Sequence, residues 1–162
     1  MSEPEAYLIT FRCYGTWLHG DARGSVDRGP RGYGQPPVPP NPLRESYARR
    51  RMRGPAQTLD SSQRSVVEGA IREVALVRGW HIVALAVRSN HVHVVVAAPG
   101  YRAERVMNDF KAYSTRALRR ARLLGVDERA WSRHGSTRML WNEDDIRRAC
   151  AYVAEGQGRP LK

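Results

Sequence analysis

Two histidines lie two positions apart in an apolar run whose composition favours a β-strand. His91 and His93 belong to the sequence SNHVHVVV. Because side chains alternate between the two faces of a strand, both imidazoles should project from the same face, about 7 Å apart along the chain. Two imidazoles at that spacing can bind one metal ion. The same pattern also occurs in histidines that face solvent or form hydrogen bonds, so the pair alone leaves both interpretations open.

A tyrosine near the end of the sequence could be the nucleophile in metal-assisted phosphodiester chemistry. A phenolate can attack phosphorus once a metal or a base lowers its pKa. Two tyrosines follow the histidine pair on predicted helices, and helical geometry separates them. Tyr113 lies at the centre of its helix's apolar stripe, which favours core packing, whereas Tyr152 lies about 110° from the centre of its own stripe. We therefore expect Tyr152 to flank the core, with its hydroxyl at the edge of a cleft.

The charge of the chain favours a polyanionic partner. The 162 residues carry a formal net charge of +11, and every basic residue counted except Lys111 and Lys162 is an arginine. Arginine binds phosphate in a bidentate manner, and nucleic acid is the commonest polyanionic partner of a basic protein. An anionic membrane is the rival partner. It is disfavoured because the sequence contains neither a basic amphipathic surface helix with exposed aromatics nor an apolar run of roughly 18 residues.

The cysteines and the N-terminal residues bear on the compartment. Cys13 and Cys150 do not have the spacing of a metal or redox motif, so we expect free thiols in the core, in a reducing environment. The acidic N-terminal residues are not followed by an apolar segment of the signal type. These features together predict a cytoplasmic protein.

The remaining sequence predicts an α+β fold in a single domain, 1–162, in which helices pack on a small, mostly antiparallel sheet. A Pro-, Gly- and Arg-rich loop at about 21–57 interrupts the regular pattern. Asp60 and Gln63 are spaced as a capping box at the start of the first long helix, and Gly79 should end that helix. The predicted strands are 6–17, 80–88 and 91–98, the predicted helices are 60–78, 102–124 and one that begins at 142, and 133–141 is an irregular segment or a short strand.

The second helix carries the basic residues that best suit a phosphate-binding face, and the arginines among them lie in its C-terminal half. Lys111, Arg116, Arg119 and Arg120 are the candidates for DNA binding. Cations at this end also suit the helix dipole, and a merely solvated basic face explains the pattern equally well.

The histidine strand and the tyrosine helix together resemble the single-tyrosine HUH transposases. These include small insertion-sequence transposases and the related enzymes associated with repetitive extragenic palindromes. SNHVHVVV is similar to their (M/T)-P-N-H-V-H run, and AYVAEGQ, which begins at residue 151, is similar to their Tyr-Ile/Val-x-x-(Asn)-Gln run. The resemblance covers most of the chain outside the loop at 21–57.

The resemblance implies a ferredoxin-like fold, often dimeric, that acts on single-stranded or hairpin DNA. It implies that His91, His93 and a third polar ligand bind Mg²⁺ or Mn²⁺. It also implies that Tyr152 attacks the DNA, leaving a 5′-phosphotyrosine and a free 3′-hydroxyl, as expected of a nickase and strand transferase.

The third ligand is where the sequence departs from the pattern of the family it resembles. Insertion-sequence members have a glutamine four positions after the tyrosine, where this chain has Gly156. Gln157 could reach the metal if the helix ends at Gly156, and Glu155 is the better candidate if the helix continues, because it then lies about 60° from Tyr152 around the helix. The resemblance favours Gln157 slightly.

Two other functions compete with the transposase interpretation. A basic module of the same fold could bind nucleic acid without cutting it. A metal-dependent hydrolase that uses bound water would need the histidines but not Tyr152. The sequence does not distinguish a monomer from a homodimer.

Overall fold

The computed structural model describes residues 2–15, 41–43, 46, 50 and 56–156. Most of the predicted loop at 21–57, and Gln157, lie outside the described residues. The described chain forms a four-stranded sheet of order β2-β3-β1-β4, in which all neighbouring strands are antiparallel. The strands are β1 (Ala6–Cys13), β2 (His81–Val87), β3 (His91–Ala97) and β4 (Trp131–Leu140), and the helices are α1 (Ser61–Arg78), α2 (Ala103–Arg120) and α3 (Glu143–Ala151), the last followed by a π-helical turn, Tyr152–Gly156. This β-α-β-β-α-β order confirms the predicted α+β, ferredoxin-like fold.

The two central strands are buried on both faces, and alternation of their side chains divides the core in two. On one face, Ile9, Phe11 and Val94 pack against α1 and α2 in the main core. On the other face, Leu8 and Val95 belong to a smaller cluster under α3. His91 and His93 have the same parity as Val95, so they face the side of the sheet that α3 covers.

Helix α1 begins and ends as its sequence predicts. The Asp60 side chain accepts a hydrogen bond from the Gln63 amide at 2.8 Å, and the Gln63 side chain accepts one from the Asp60 amide at 2.9 Å. This capping box is confirmed, and it satisfies amides that the first turn would leave without partners. Gly79 ends the helix in the left-handed region at φ 75°, where glycine has no steric penalty.

Strand β4 is longer and more regular than its sequence predicts. Its residues alternate poorly because it is an edge strand with a largely exposed central stretch. Gly135 permits its close approach to β1, since a Cβ there would lie 2.4 Å from the Thr10 carbonyl oxygen and 2.6 Å from the Met107 sulfur. Of the two predictions for 133–141, the structure has the strand, which begins two residues earlier. The predicted end of the second helix at 124 was too late, because Arg122 has a positive φ of 59° just after α2.

The described residues test the predictions about the cysteines and about membrane-spanning helices. Cys13 and Cys150 are both free thiols, as predicted, and burial raises the pKa of Cys13 to about 12. None of the helices described here has the length and apolar character needed to span a membrane.

Candidate functional site

Strand β3 brings the two histidines together on the α3 face of the sheet. The ring centroids of His91 and His93 are 4.6 Å apart, and both side chains are buried. Their strand follows a tight connection through Ser89 and Asn90, closed by a 2.8 Å hydrogen bond from the Arg88 amide to the His91 carbonyl. The hairpin therefore fixes where β3 begins, and with it the face on which the histidines lie.

One nitrogen of each imidazole has a hydrogen-bond partner that orients the ring. His93 Nδ1 lies 2.6 Å from Thr10 Oγ1 on the neighbouring strand, where Thr10 and His93 are directly opposed. His91 Nδ1 is hydrogen-bonded to the side-chain oxygen of Asn90. Histidines that bind metals typically donate their second ring N–H to such an oxygen, which leaves Nε2 as the ligand atom. The donor set and its outer partners therefore fit a divalent metal.

Tyr152 lies beside His93 in the same chain. Its ring packs edge-on against the His93 ring with centroids 5.4 Å apart, while 49% of the residue stays exposed. Val153, the next residue, is buried against the sheet and anchors this part of the chain. The predicted position of Tyr152 beside the core agrees with this arrangement, and the placement of its hydroxyl at the edge of a cleft stays a prediction.

Helix α3 changes its geometry at Tyr152. The backbone widens into a π-helical turn over Tyr152–Gly156, where the sequence predicted either an α-helix or a simple stop. Turns of this kind are rare and are found frequently at functional sites. Glu155 lies in the turn and is exposed, and Gln157 is outside the described residues. Within residues 2–15, 41–43, 46, 50 and 56–156, no three His, Cys, Asp or Glu side chains form a group that could hold a metal.

The basic residues predicted on α2 lie on the opposite side of the sheet from the histidines, because α2 packs in the main core. The Lys111 ammonium donates to the carbonyls of Ser132 at 3.0 Å and Arg133 at 3.4 Å, and burial lowers the pKa of Lys111 to about 8. Lys111 therefore ties α2 to β4. The structure leaves its predicted contact with phosphate a prediction.

The α2 arginines have partners within the protein to different degrees. The Arg116 guanidinium lies 4.7 Å from the centre of the Tyr113 ring, and Arg119 donates to the carbonyls of Val126 and Glu128. Arg120 is exposed. DNA binding by these three side chains stays a prediction, on a surface separate from the histidine–tyrosine site.

The sequence did not reveal several residues around the pair. Thr10 and Asn90 orient the imidazoles. Arg12 is opposite His91 on β1, and Arg88 is opposite His91 directly after β2. Their roles depend on the register between strands, which a single sequence does not fix. Among these residues, Asn90 could have been found from the sequence, because it directly precedes His91.

The chain is similar to known transposases in sequence and in fold. The family model described as "Transposase IS200 like" matches residues 51–144, which is more than half of the chain. Among solved structures, a REP-associated tyrosine transposase bound to a REP hairpin is similar with a TM-score of 0.54 and 16% identity over 94% of this chain and 66% of that one. A protein from Deinococcus radiodurans R1, provisionally described as a transposase, has a TM-score of 0.53 and 14% identity over 95% of this chain and 92% of that one. The chain thus spans about two thirds of the hairpin-bound transposase. The comparison with curated proteins finds no match.

Proposed function

Because the chain belongs to the family of IS200-like transposases, we propose that it cuts and rejoins single-stranded DNA through a covalent bond to Tyr152. The observation that carries the proposal is the contact between Tyr152 and His93 within one chain, with ring centroids 5.4 Å apart. A half-exposed tyrosine beside two buried, oriented imidazoles combines an accessible nucleophile with a place for the phosphate it attacks.

In the proposed reaction, the deprotonated hydroxyl of Tyr152 attacks a backbone phosphorus. The new bond joins Tyr152 Oη to phosphorus, and the bond from phosphorus to the 3′-oxygen of the preceding nucleotide breaks. The leaving 3′-oxygen takes a proton from solvent, and the following nucleotide remains attached as a 5′-phosphotyrosine. Attack by a 3′-hydroxyl on that linkage reverses these steps and rejoins DNA without another energy source.

His91 and His93 are the proposed ligands of Mg²⁺ or Mn²⁺, through the nitrogens that do not bond to Asn90 and Thr10. When bound, such an ion would polarise the phosphate and stabilise the charge that develops on it. Thr10 holds the His93 ring in one orientation, and Asn90 does the same for His91. The buried position of both rings limits their rotation, so the ligand atoms are arranged before DNA arrives.

For the third ligand, Gln157 and Glu155 are the two candidates. Gln157 follows Tyr152 by five positions, one more than in the insertion-sequence members, and it lies outside the described residues. Glu155 lies in the π-helical turn and is exposed. We propose Gln157, because the resemblance to the family favours a glutamine after the tyrosine. A glutamine oxygen also suits a hard cation such as Mg²⁺.

The proposed partner is single-stranded DNA that carries a hairpin. The similarity to a transposase bound to a REP hairpin and the net charge of +11 both support this partner. Lys111 and the α2 arginines would then be a second contact surface, away from the cutting site. A cytoplasmic location and a possible homodimer remain predictions. The proposed nucleophile and the two proposed histidine ligands lie together within one chain.

A covalent-adduct assay tests the proposal against its two rivals. Hairpin-bearing single strands labelled at the 3′ end are incubated with the protein and Mg²⁺ or Mn²⁺, because the 5′-phosphotyrosine retains the fragment downstream of the cut. We expect a labelled protein band with the wild type and with Tyr113→Phe, the matched control, but not with Tyr152→Phe. Cutting without an adduct, preserved in Tyr152→Phe, would support the hydrolase. Tight binding with no cutting under either metal would support the simple binder.

A further inference from the structure

An arginine outside the histidine–tyrosine site stands next to it on the sheet. Arg88 ends the hairpin at the position opposite His91, to which its amide donates a 2.8 Å hydrogen bond. Directly opposed residues of an antiparallel pair project from the same face, so Arg88 lies on the face of the histidine pair, about 5 Å from His91 between their Cα atoms. The geometry places a guanidinium at the side of the proposed cutting site.

The described residues give the Nε of Arg88 no hydrogen-bond partner that would explain its position. Its Nε is buried, and no hydrogen-bond partner for it occurs in the described part of the chain. No ion pair of Arg88 with a described carboxylate occurs either, although five such pairs involve other arginines within those residues. A buried donor without a partner costs stability, so a ligand that accepts its hydrogen bond would compensate for that cost.

Arg88 also lines a groove that runs beside the proposed nucleophile. The groove has a volume of about 360 Å³ and lies between residues 84–88 and the pair Val153 and Ala154, which directly follow Tyr152. Strand β2 is an edge strand, so one side of its backbone keeps amide and carbonyl groups that no described strand pairs. A groove of this size with such a wall can accept a planar ring and hydrogen-bond its edge.

We propose that Arg88 binds the phosphate next to the scissile one, and that the groove takes the base of that nucleotide. The inference rests on the proposed function, because it assigns a position along the strand that Tyr152 attacks. A guanidinium matches a phosphate in charge and in the spacing of its donors, and an apolar floor of alanine and valine suits the face of a base. The proposal gives the enzyme a means to select one nucleotide beside the cut without base pairing.

The test measures binding separately from cutting. A randomised pool of single strands is selected for binding to Tyr152→Phe in EDTA, and the best oligonucleotide is then made with one phosphate at a time replaced by a neutral methylphosphonate. When Arg88 is present, methylphosphonate replacement at one position should weaken binding about tenfold, which is the size of one charge-assisted hydrogen bond. In Arg88→Gln, the same replacement should change binding little, and the slope of log affinity against log salt should fall by about 0.7.

The controls separate a local contact from a general loss of charge or of folding. Arg72→Gln removes an equally charged side chain from α1, which packs in the main core on the opposite face of the sheet. In this variant, methylphosphonate should weaken binding as much as in the wild type and at the same position. Arg88→Lys retains the charge but not the paired donors, so it should bind with intermediate affinity if the position is a phosphate contact. Thermal melting of each variant reports whether it is folded.

Two results would overturn the inference. One is equal sensitivity of the wild type and Arg88→Gln to every methylphosphonate, and the other is a sensitive position that lies more than one phosphate from the cut mapped with active protein. The first of these results does not depend on cutting, whereas the second requires a mapped cut. If no Tyr152 adduct forms but Arg88→Gln still removes the methylphosphonate effect, the proposed cutting chemistry is refuted and a phosphate contact remains. If the adduct forms but Arg88→Gln changes nothing, only the role of Arg88 is refuted.

Discussion

The hydrogen bond between Thr10 and His93 gives the sharpest prediction about the metal site. Thr10→Val removes the hydroxyl but keeps the β-branched shape that a strand favours. His93 is 2% exposed, and its Nδ1 lies 2.6 Å from Thr10 Oγ1, so water has little access to replace the lost partner. In the variant, the buried Nδ1 of His93 therefore loses its hydrogen bond to residue 10 on β1.

Two separate effects should follow from this change. The free energy of unfolding should fall by about 1–3 kcal/mol, the usual cost of leaving a buried polar group unsatisfied. The affinity for Mn²⁺ should fall about 10- to 100-fold, the usual effect of losing an outer partner of a metal-binding histidine, because the Thr10 hydroxyl then no longer orients the ring. Titration calorimetry with Mn²⁺ alone measures the second effect, and urea unfolding measures the first.

The matched controls are Thr10→Ser and Thr137→Val. Serine keeps the hydroxyl, so it should restore most of the Mn²⁺ affinity. Thr137 lies on β4 opposite Ile9, whose side chain faces the main core, so Thr137→Val should leave Mn²⁺ binding unchanged. Unchanged Mn²⁺ affinity in Thr10→Val, in a folded protein, would refute the idea that Nδ1 is held so that Nε2 can bind a metal.

Three further predictions concern the scaffold. Gly135→Ala should destabilise the fold by roughly 1–3 kcal/mol in urea unfolding, because its Cβ would lie 2.4 Å from a backbone oxygen. The control Gly69→Ala on α1 meets nothing within 4 Å and should stabilise the fold by about 1 kcal/mol. Equal effects of the two substitutions would contradict the packing argument. Asp60→Ala should cost about 1 kcal/mol in the same assay by removing the capping box, and no loss would show that α1 does not need it. Burial lowers the pKa of Lys111 from 10.5 to about 8, so between these pH values the unfolded chain binds more protons than the folded one and stability rises with pH. Lys111→Met should remove this contribution to the rise. An unchanged dependence of stability on pH in Lys111→Met would refute the prediction.

The sequence predicted the elements whose signals are local. The capping box at Asp60, the stop at Gly79 and the two-residue connection before His91 depend on a few neighbouring residues, and the structure has each of them. Strand β4 was underestimated because an edge strand buries little, so its side chains need not alternate between polar and apolar.

The surroundings of the histidines could not be predicted because they depend on contacts between distant parts of the chain. Thr10 is opposite His93 only in the register that β1 and β3 adopt, and a shift of one residue would move it to the other face. The π-helical turn at Tyr152 was missed because a helix of ordinary pitch was assumed up to Gly156. The position of Tyr152 was predictable because its own helix determines which side of the core it flanks.

The central claim is that Tyr152 forms the covalent bond to DNA, and peptide mass spectrometry of the adduct tests it most directly. After cleavage of a hairpin-bearing single strand, nuclease and protease digestion leave a short nucleotide on the modified peptide. We expect this added mass on Tyr152. The same mass on Tyr113 or any other residue, with Tyr152 unmodified, would contradict it.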